Sequence, residues 1–449
     1  MKKALIMLVV MVMVHVYVLA NLRFTAWPEM FSYAYLYNKG FDLYSDFIYP
    51  YTPLLTIALA WLYKILGYEV FVQKLLCWML VAMNDGFVFA GVRKLTKSST
   101  ASLLGVLFYM LSQITLEGNM MWFDIAVVTP ILAGLVFMVN KKYWWTGIFL
   151  GIAMLVKQTA VVYIIFSIAY LVFRKRVREL TRLLAGLTVM VGGLLLWVFA
   201  SGLWEEFFSW TLKYPLVYWG KFPGYVQMSL SGGEVLILGW AVLPVIAIIL
   251  RDKLKKESLL LLLFLAAGLV AVYPRWSFFH LQSALAVASV AWGYVFAKRR
   301  GLVVVLLVMF GLVVIFSRLQ VVAREWRAED RFYGKEDNEL ALVIKDRVGM
   351  GEKVYLMGIH SGLYSIADMV PPKPWTDNFG WYLEIEGVQD WVIEGWEAEP
   401  PEVIVWREPM RGNWFDAGTY QPAMIGNWIE KNYSKEGELV RGVWVWRRK

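Results

Sequence analysis

The sequence has little of what builds crosslinks and metal centres. Its one cysteine, Cys77, lies inside an apolar run, which excludes an intrachain disulfide and a cysteine-based metal site and leaves Cys77 as core. Its three histidines, His15, His280 and His360, are too far apart in sequence to suggest a histidine metal cluster. There is no P-loop, no glycine-rich dinucleotide turn and no HExxH, so chemistry driven by ATP or a nicotinamide is not indicated. No internal repeat and no low-complexity segment is present. Charge is scarce too: 18% of residues are charged and 59% are hydrophobic, with a mean hydropathy of +0.55. That is too apolar for a soluble protein and fits a polytopic membrane protein. The surplus of +9 does not indicate a nucleic-acid partner, because the basic residues cluster in short loops between apolar segments. Aromatic residues make up 16% of the chain, many of them near the ends of apolar segments, where Trp and Tyr anchor at a membrane interface.

A full membrane crossing takes about 20 apolar residues. Eleven helical segments are expected, at 4–20, 69–92, 99–117, 121–139, 143–156, 159–173, 180–200, 233–250, 257–273, 278–297 and 302–317. The first follows Lys2 and Lys3 and resembles a signal peptide, but it lacks a clear small-residue cleavage site and reads as an uncleaved helix. The basic clusters Arg93/Lys94/Lys97, Lys141/Lys142, Arg174/Lys175/Arg176/Arg178, Arg251/Lys253/Lys255/Lys256 and Lys298/Arg299/Arg300 alternate along the chain and place those loops, with the N-terminus, in the cytoplasm. An odd number of segments then puts the C-terminal part outside. Segments 143–156 and 159–173 are short and flanked by basic clusters, so they form a hairpin that enters and leaves on the cytoplasmic side. Its tip is Lys157-Gln158-Thr159, and a lysine at that depth implies a wet cavity and an anionic partner.

Two outer loops are long. Residues 21–68 are expected to carry two amphipathic helices lying flat, at about 28–38 and 53–66. Residues 201–232 combine Trp204, Trp210, Tyr214, Tyr218, Trp219, Phe222 and Tyr225 with Lys213 and Lys221, a composition suited to lipid tails and headgroup phosphates. The division is therefore a transmembrane domain over 1–317 and an extracytoplasmic domain over 318–449. In the latter, helical patterns at 336–348, 386–397 and 423–432 alternate with strand-like runs at 353–357, 402–406 and 438–446, which reads as a small α/β domain. Asn432-Tyr433-Ser434 is a sequon, a weak signal.

Glu29, Asp46, Asp124, Lys157, Arg275 and His280 all fall at expected outer ends or loops, which points to a reaction site at the outer membrane boundary. Glu29 follows Trp27-Pro28, so it sits in a first helical turn. It is either a glutamate favoured by the helix dipole or a general base for an acceptor hydroxyl. Asp46, among tyrosines and prolines, more often would cap a turn than bind a sugar hydroxyl or a divalent ion. Asp124 is explained by helix N-capping, yet it lies at the level of Glu29, and the two acids can share a metal ion or divide base and orienting roles. Lys157 needs a partner: a phosphate, or else Asp124 or Glu117. Arg275 offers a fork that matches phosphate oxygens, and His280 can donate to a phosphate or satisfy a helix end.

With these residues in hand, the chain resembles the GT-C superfamily of polytopic glycosyltransferases, near the protein mannosyltransferase and aminoarabinose-transferase branch. The resemblance rests on Glu29 in the first outer loop and on Gly40-Phe41-Asp42-Leu43-Tyr44-Ser45-Asp46 running into Tyr49-Pro50-Tyr51-Thr52-Pro53-Leu54. Further along come Phe123-Asp124, Gly151-Ile152-Ala153 before Lys157-Gln158-Thr159, and Tyr273-Pro274-Arg275 with His280. It covers about residues 1–300 in order. It implies an all-α membrane body of about 11 transmembrane helices, the small outer α/β domain being a common addition. It also implies a sugar donor linked to polyprenyl or dolichyl phosphate. Lys157, Gln158, Arg275 and His280 would meet the phosphate with Tyr49 and Tyr51, the aromatic loop would cover the prenyl chain, and the first-loop acid would be the base of an inverting displacement. The family usually places Asp there, often Asp-Glu; here it is Pro28-Glu29, which keeps Asp46 and Asp124 as alternative bases. The implied activity is a hexosyl- or pentosyltransferase of the cell membrane, working among membrane lipids. Its acceptor is a protein, lipid or glycan, with no cofactor beyond an optional divalent metal. A transporter or flippase would instead show polar sites at the bilayer midplane and repeated halves, neither of which is seen apart from the Lys157 tip. A scaffold for residues 318–449 would need neither eleven segments nor a buried lysine.

Overall fold

The computed structural model describes residues 2–251, 256–298, 300–349, 351–408 and 421–449. Lys253, Lys255 and Arg299, invoked for the cytoplasmic loops, lie outside the described residues. The chain clusters into two compact units, Met1–Phe24, Gln73–Trp197 and Gln227–Ala328 in the first, and Thr25–Val72, Val198–Val226 and Glu329–Lys449 in the second.

The first unit is built of apolar helices, the structure in which a chain in lipid can satisfy its backbone polar groups internally. Lys2–Ala20 buries only His15 and Leu19, and leaves Leu5, Ile6, Met7, Val9 and Met13 exposed. Such a surface suits hydrocarbon, not water. Lys2–Ala20, Val70–Thr96 and Val177–Ala200 are each long and apolar enough to cross a membrane, and the bent pair Val304–Val313 and Ser317–Glu325 would make a fourth. Shorter apolar helices of this unit include Ser99–Thr115, Tyr143–Val156 and Glu257–Val270. At the centre stands Gln282–Lys298, buried from Gln282 to Phe296. Its Trp292 donates from Nε1 to the carbonyl of Ala241 at 2.8 Å, which lets a large polar-tipped side chain sit in the core.

Two segments differ from the hydropathy reading for local reasons. The run 121–139 is broken into Phe123–Ala126 and Val128–Val139. Pro130 has no N–H to give to the carbonyl of Ala126, so the ladder is interrupted there. The run expected to stop at 317 instead continues as one helix from Arg300 to Glu325. Hydropathy falls after Ser317, but Arg318, Leu319, Gln320 and Arg324 are good helix formers, so the chain stays helical beyond the bend between Val313 and Ser317.

Helices Tyr143–Val156 and Val177–Ala200 approach at glycines. A Cβ on Gly147 would stand 2.0 Å from the carbonyl oxygen of Leu183, and one on Gly186 would stand 2.1 Å from that of Trp144. Neither backbone can yield without parting the helices, the close approach small residues permit between membrane helices. Gly147→Ala should therefore lower the thermal midpoint in detergent markedly, by an overpacking penalty of roughly 1–3 kcal/mol or more. Gly193→Ala on the same helix, where an added Cβ meets nothing within 4 Å, should be near neutral.

The second unit contains a four-stranded mixed sheet of β1 (Val354–Met357), β2 (Val403–Arg407), β3 (Tyr433–Val440) and β4 (Val443–Arg448), in the order β1-β2-β4-β3. β1 and β2 are parallel, with Val354 opposite Val403, and the other pairs are antiparallel. The single strand expected at 438–446 is a hairpin, because Gly442 takes φ 77° and turns the chain between β3 and β4. Helices Lys335–Arg347, Val388–Ala398 and Ala423–Asn432 match the sequence patterns.

Helices Pro28–Asn38 and Leu54–Leu66 form where expected. The first is not amphipathic, however: every residue from Pro28 to Leu36 is buried. Aromatic and polar contacts enclose it. Phe31 stacks on Tyr63 at 5.1 Å, Tyr33 meets Trp375 edge-on at 6.4 Å, and Ser361 Oγ donates to Ser32 Oγ at 3.0 Å. The aromatic stretch of 201–232 forms short turns, including a π-turn at Ser209–Lys213. Trp210 is buried and donates to the carbonyl of Tyr44 at 3.1 Å, while Leu212 and Leu216 are exposed.

Candidate functional site

Two buried carboxylate centres emerge, one in each unit. The first is built at the interruption between two apolar helices. Tyr143–Val156 ends at Lys157, whose backbone is extended (φ −150°, ψ 123°), and Gln158–Ala160 makes one 3-10 turn before Val161–Phe173 begins. This is the short hairpin the sequence indicates, with Lys157 at its tip. Lys157 is 8% exposed and Asp124 is 5% exposed. The ammonium donates to both carboxylate oxygens of Asp124, at 2.7 Å and 2.6 Å. His280 Nδ1 lies 3.0 Å from Asp124 Oδ2, and Arg275 adds positive field at His280.

Of the partners weighed for Lys157, the structure selects Asp124 and not Glu117. Glu117 Oε2 instead accepts from the backbone N–H of Phe279 at 3.3 Å. Asp124 is not a helix N-cap: that position belongs to Trp122, and Asp124 lies within the first turn. Its carboxylate turns away from the helix end to hold the lysine and the histidine. Ammonium and imidazole thus converge on one aspartate, with the Arg275 guanidinium close enough to act on the imidazole, inside an apolar body. Gln158 and Arg275 are half-buried at its margins.

The second centre lies on Pro28–Asn38. Trp27 is the N-cap, Pro28 occupies the first helical position and Glu29 the first turn, as its sequence dictates. Dipole stabilisation at an exposed helix end does not describe Glu29, which is 6% exposed and leaves Oε2 buried with no hydrogen-bond partner. The neighbouring carboxyl is that of Asp377, itself 6% exposed, with Oδ2 likewise unpartnered. Burial pushes Glu29 well above the usual carboxylate range, and the charge of Asp377 raises it further. Burial also raises Asp377, against the opposing effect of the Ser361 and Tyr33 hydroxyls. Asp377 is absent from the sequence-derived candidates. It sits in Trp375-Thr376-Asp377-Asn378, a stretch without distinctive spacing and 348 positions from Glu29, so only the packing of that segment on Pro28–Asn38 discloses it.

The remaining candidates are not gathered into either cluster. Asp46 serves a turn: Oδ2 accepts from the backbone N–H of Asp42 at 2.8 Å and from Lys373 Nζ at 2.6 Å. Tyr49 is fully buried, with its hydroxyl 2.7 Å from Thr56 Oγ1, so it is core and presents no surface to a substrate. Tyr51 packs against Tyr49 at 6.0 Å, and its carbonyl accepts from the Tyr44 hydroxyl. Each histidine has its own aspartate: His15 with Asp85 at 2.9 Å, His280 with Asp124, and His360 with Asp337 at 3.1 Å. Among the described residues no three His, Cys, Asp or Glu side chains are placed to hold a metal ion. Asp124 in particular fits a metal poorly, since an ammonium already contacts both its oxygens.

The apolar helices, with the lysine-tipped short hairpin and the added mixed sheet, define a membrane protein of the GT-C fold. It is the fold of ArnT from Cupriavidus metallidurans. The crystal structure of that protein bound to undecaprenyl phosphate matches with a TM-score of 0.63 at 12% identity, over 98% of this chain and 97% of that one. Its apo structure matches with a TM-score of 0.63 at 11% identity, over 99% and 98%. No family model matches the sequence, and no curated protein matches it. The resemblance drawn from the sequence therefore holds at the level of the fold.

Proposed function

We propose that this protein is an integral-membrane glycosyltransferase that moves a sugar from a polyprenyl-phosphate donor to an acceptor hydroxyl at the outer membrane face, with inversion. The observation that carries this reading is the fold shared along almost both whole chains with ArnT, a protein crystallised with undecaprenyl phosphate. The buried cation cluster supports it locally. A lipid phosphate released as leaving group requires positive neighbours, and Lys157, Arg275 and His280 supply them. Asp124 fixes the lysine in the orientation it needs. Glu29 takes the proton of the acceptor hydroxyl as that oxygen attacks the anomeric carbon. The charge bias of the basic loops supports an N-terminus in the cytoplasm and a sheet-bearing C-terminal part outside. No step here is assigned to a metal.

The test is turnover of labelled polyprenyl-phosphate sugars by the purified protein, comparing wild type with Glu29→Gln and Lys157→Ala. Donor consumption by wild type and its loss in both variants is the expected result. No consumption of any donor, or normal turnover by both variants, would remove the proposal. The pH profile is a second check. A base must be ionised to accept a proton, and the ionisation of Glu29 is displaced upward from its ordinary value of 4.5. Activity should therefore climb with pH across a range well above that value, whereas an exposed carboxylate would already be on its plateau.

A further inference from the structure

Resting on that reading, we propose that Asp377 is a positioning residue for Glu29: the two carboxyls share one proton, and the negative charge of Asp377 makes Glu29 the stronger base of the two. The geometry that carries this is the burial of both side chains and the fact that each leaves one oxygen without a hydrogen-bond partner. Two adjacent buried carboxylates resist being ionised together without a cation, and among the described residues no Lys or Arg appears among the charges acting on either. One shared proton satisfies both. Ser32 and Ser361, joined at 3.0 Å, and Tyr33 against Trp375 hold the two segments together.

The other titratable groups facing the pair are phenols. Tyr33, Tyr333 and Tyr382 feel Glu29, and Tyr33, Tyr355, Tyr364 and Tyr382 feel Asp377. All are raised above the usual phenol value by burial, so they stay neutral while the carboxyls titrate. In the transfer step the acceptor oxygen forms a bond to the anomeric carbon, and the bond from that carbon to the phosphate oxygen breaks. The lipid phosphate leaves with the electron pair, and the acceptor proton moves to Glu29. The shared proton has left to water beforehand, Asp377 stays ionised throughout, and the acceptor proton taken up by Glu29 restores the one-proton pair.

Removing the like charge lowers the ionisation of Glu29. Asp377→Asn should therefore move the acid limb of kcat down by about one pH unit or more and lower the plateau, because a weaker base remains. At a pH one unit below the wild-type midpoint, a limb moved by one unit leaves this variant roughly fivefold more of its own plateau activity than expected from an unmoved limb. A purely structural aspartate would change yield or kcat at every pH alike and leave the limb in place; that outcome overturns the inference. If Asp377→Asn is too poorly folded to assay, Asp377→Glu restores the pair and should restore the limb. Infrared titration of the whole protein gives a reading independent of turnover. A protonated carboxyl band should persist to higher pH in wild type than in either Asp377→Asn or Glu29→Gln. Identical titration of wild type and Asp377→Asn would also overturn it. Failure of this inference is distinct from failure of the proposed function, which is decided by whether Glu29→Gln still turns over donor.

Discussion

Glu29→Gln should lower kcat by a factor of about 10² to 10⁴, the range in which a positioned general base contributes, with the KM for donor little changed. Glutamine keeps the size of the side chain and most of its polarity, so Pro28–Asn38 should fold as before. Only the proton acceptor is lost. The neutral amide also relieves the repulsion from Asp377, so the variant should be no less stable than wild type, and relatively more stable at high pH. The sign follows from linkage. In the unfolded chain Glu29 ionises around its ordinary value of 4.5, whereas in the fold its ionisation is displaced upward. As pH rises from the first value toward the second, the unfolded state loses its proton first, and stability falls. Thermal unfolding in detergent across pH, beside steady-state kinetics, checks both halves. A variant that is inactive because it is unfolded would lose stability at every pH, opposite to this expectation.

Lys157→Ala carries the second large effect, and there stability and function should fall together. The ammonium is buried and contacts both oxygens of Asp124, so its removal leaves an anion in an apolar setting beside His280 alone. Breaking one side of a buried pair costs about 3–5 kcal/mol. The companion variant is Lys157→Met with Asp124→Asn, which removes both charges and should recover most of that stability. Donor affinity should not recover with it, and KM should stay raised by roughly tenfold to a hundredfold, since a hydrogen bond to a charged group contributes about 1.5–3 kcal/mol. Recovery of both stability and donor KM in the double variant would reduce Lys157 to a structural lysine.

Much of the helical body was readable because apolar runs and basic loops are local properties. The hairpin tip at Lys157, the helix opened by Pro28 and the helices around 336–348 and 423–432 all follow from neighbours a few positions apart. The misreadings also had local causes that hydropathy does not weigh. Pro130 interrupts a helix without lowering its hydrophobicity, and Gly442 folds one apparent strand into a hairpin. Good helix formers after Ser317 carry a helix beyond its apolar part. Tyr49, which the family resemblance put beside the phosphate, is buried with its hydroxyl on Thr56, a placement the local sequence does not announce.

The sequence alone determined a membrane chain of apolar helices joined by basic loops, and that Lys157 needs an anionic partner. Those conclusions depend on hydrophobic transfer and on periodicity, which act within a helix or a loop. Which anion Lys157 meets, that Glu29 is buried beside Asp377, and that Asp46 closes a turn were decided only in three dimensions. Charge pairing and desolvation are set by distance through space, and residues such as Glu29 and Asp377, far apart along the chain, acquire their chemistry when packing takes both out of water.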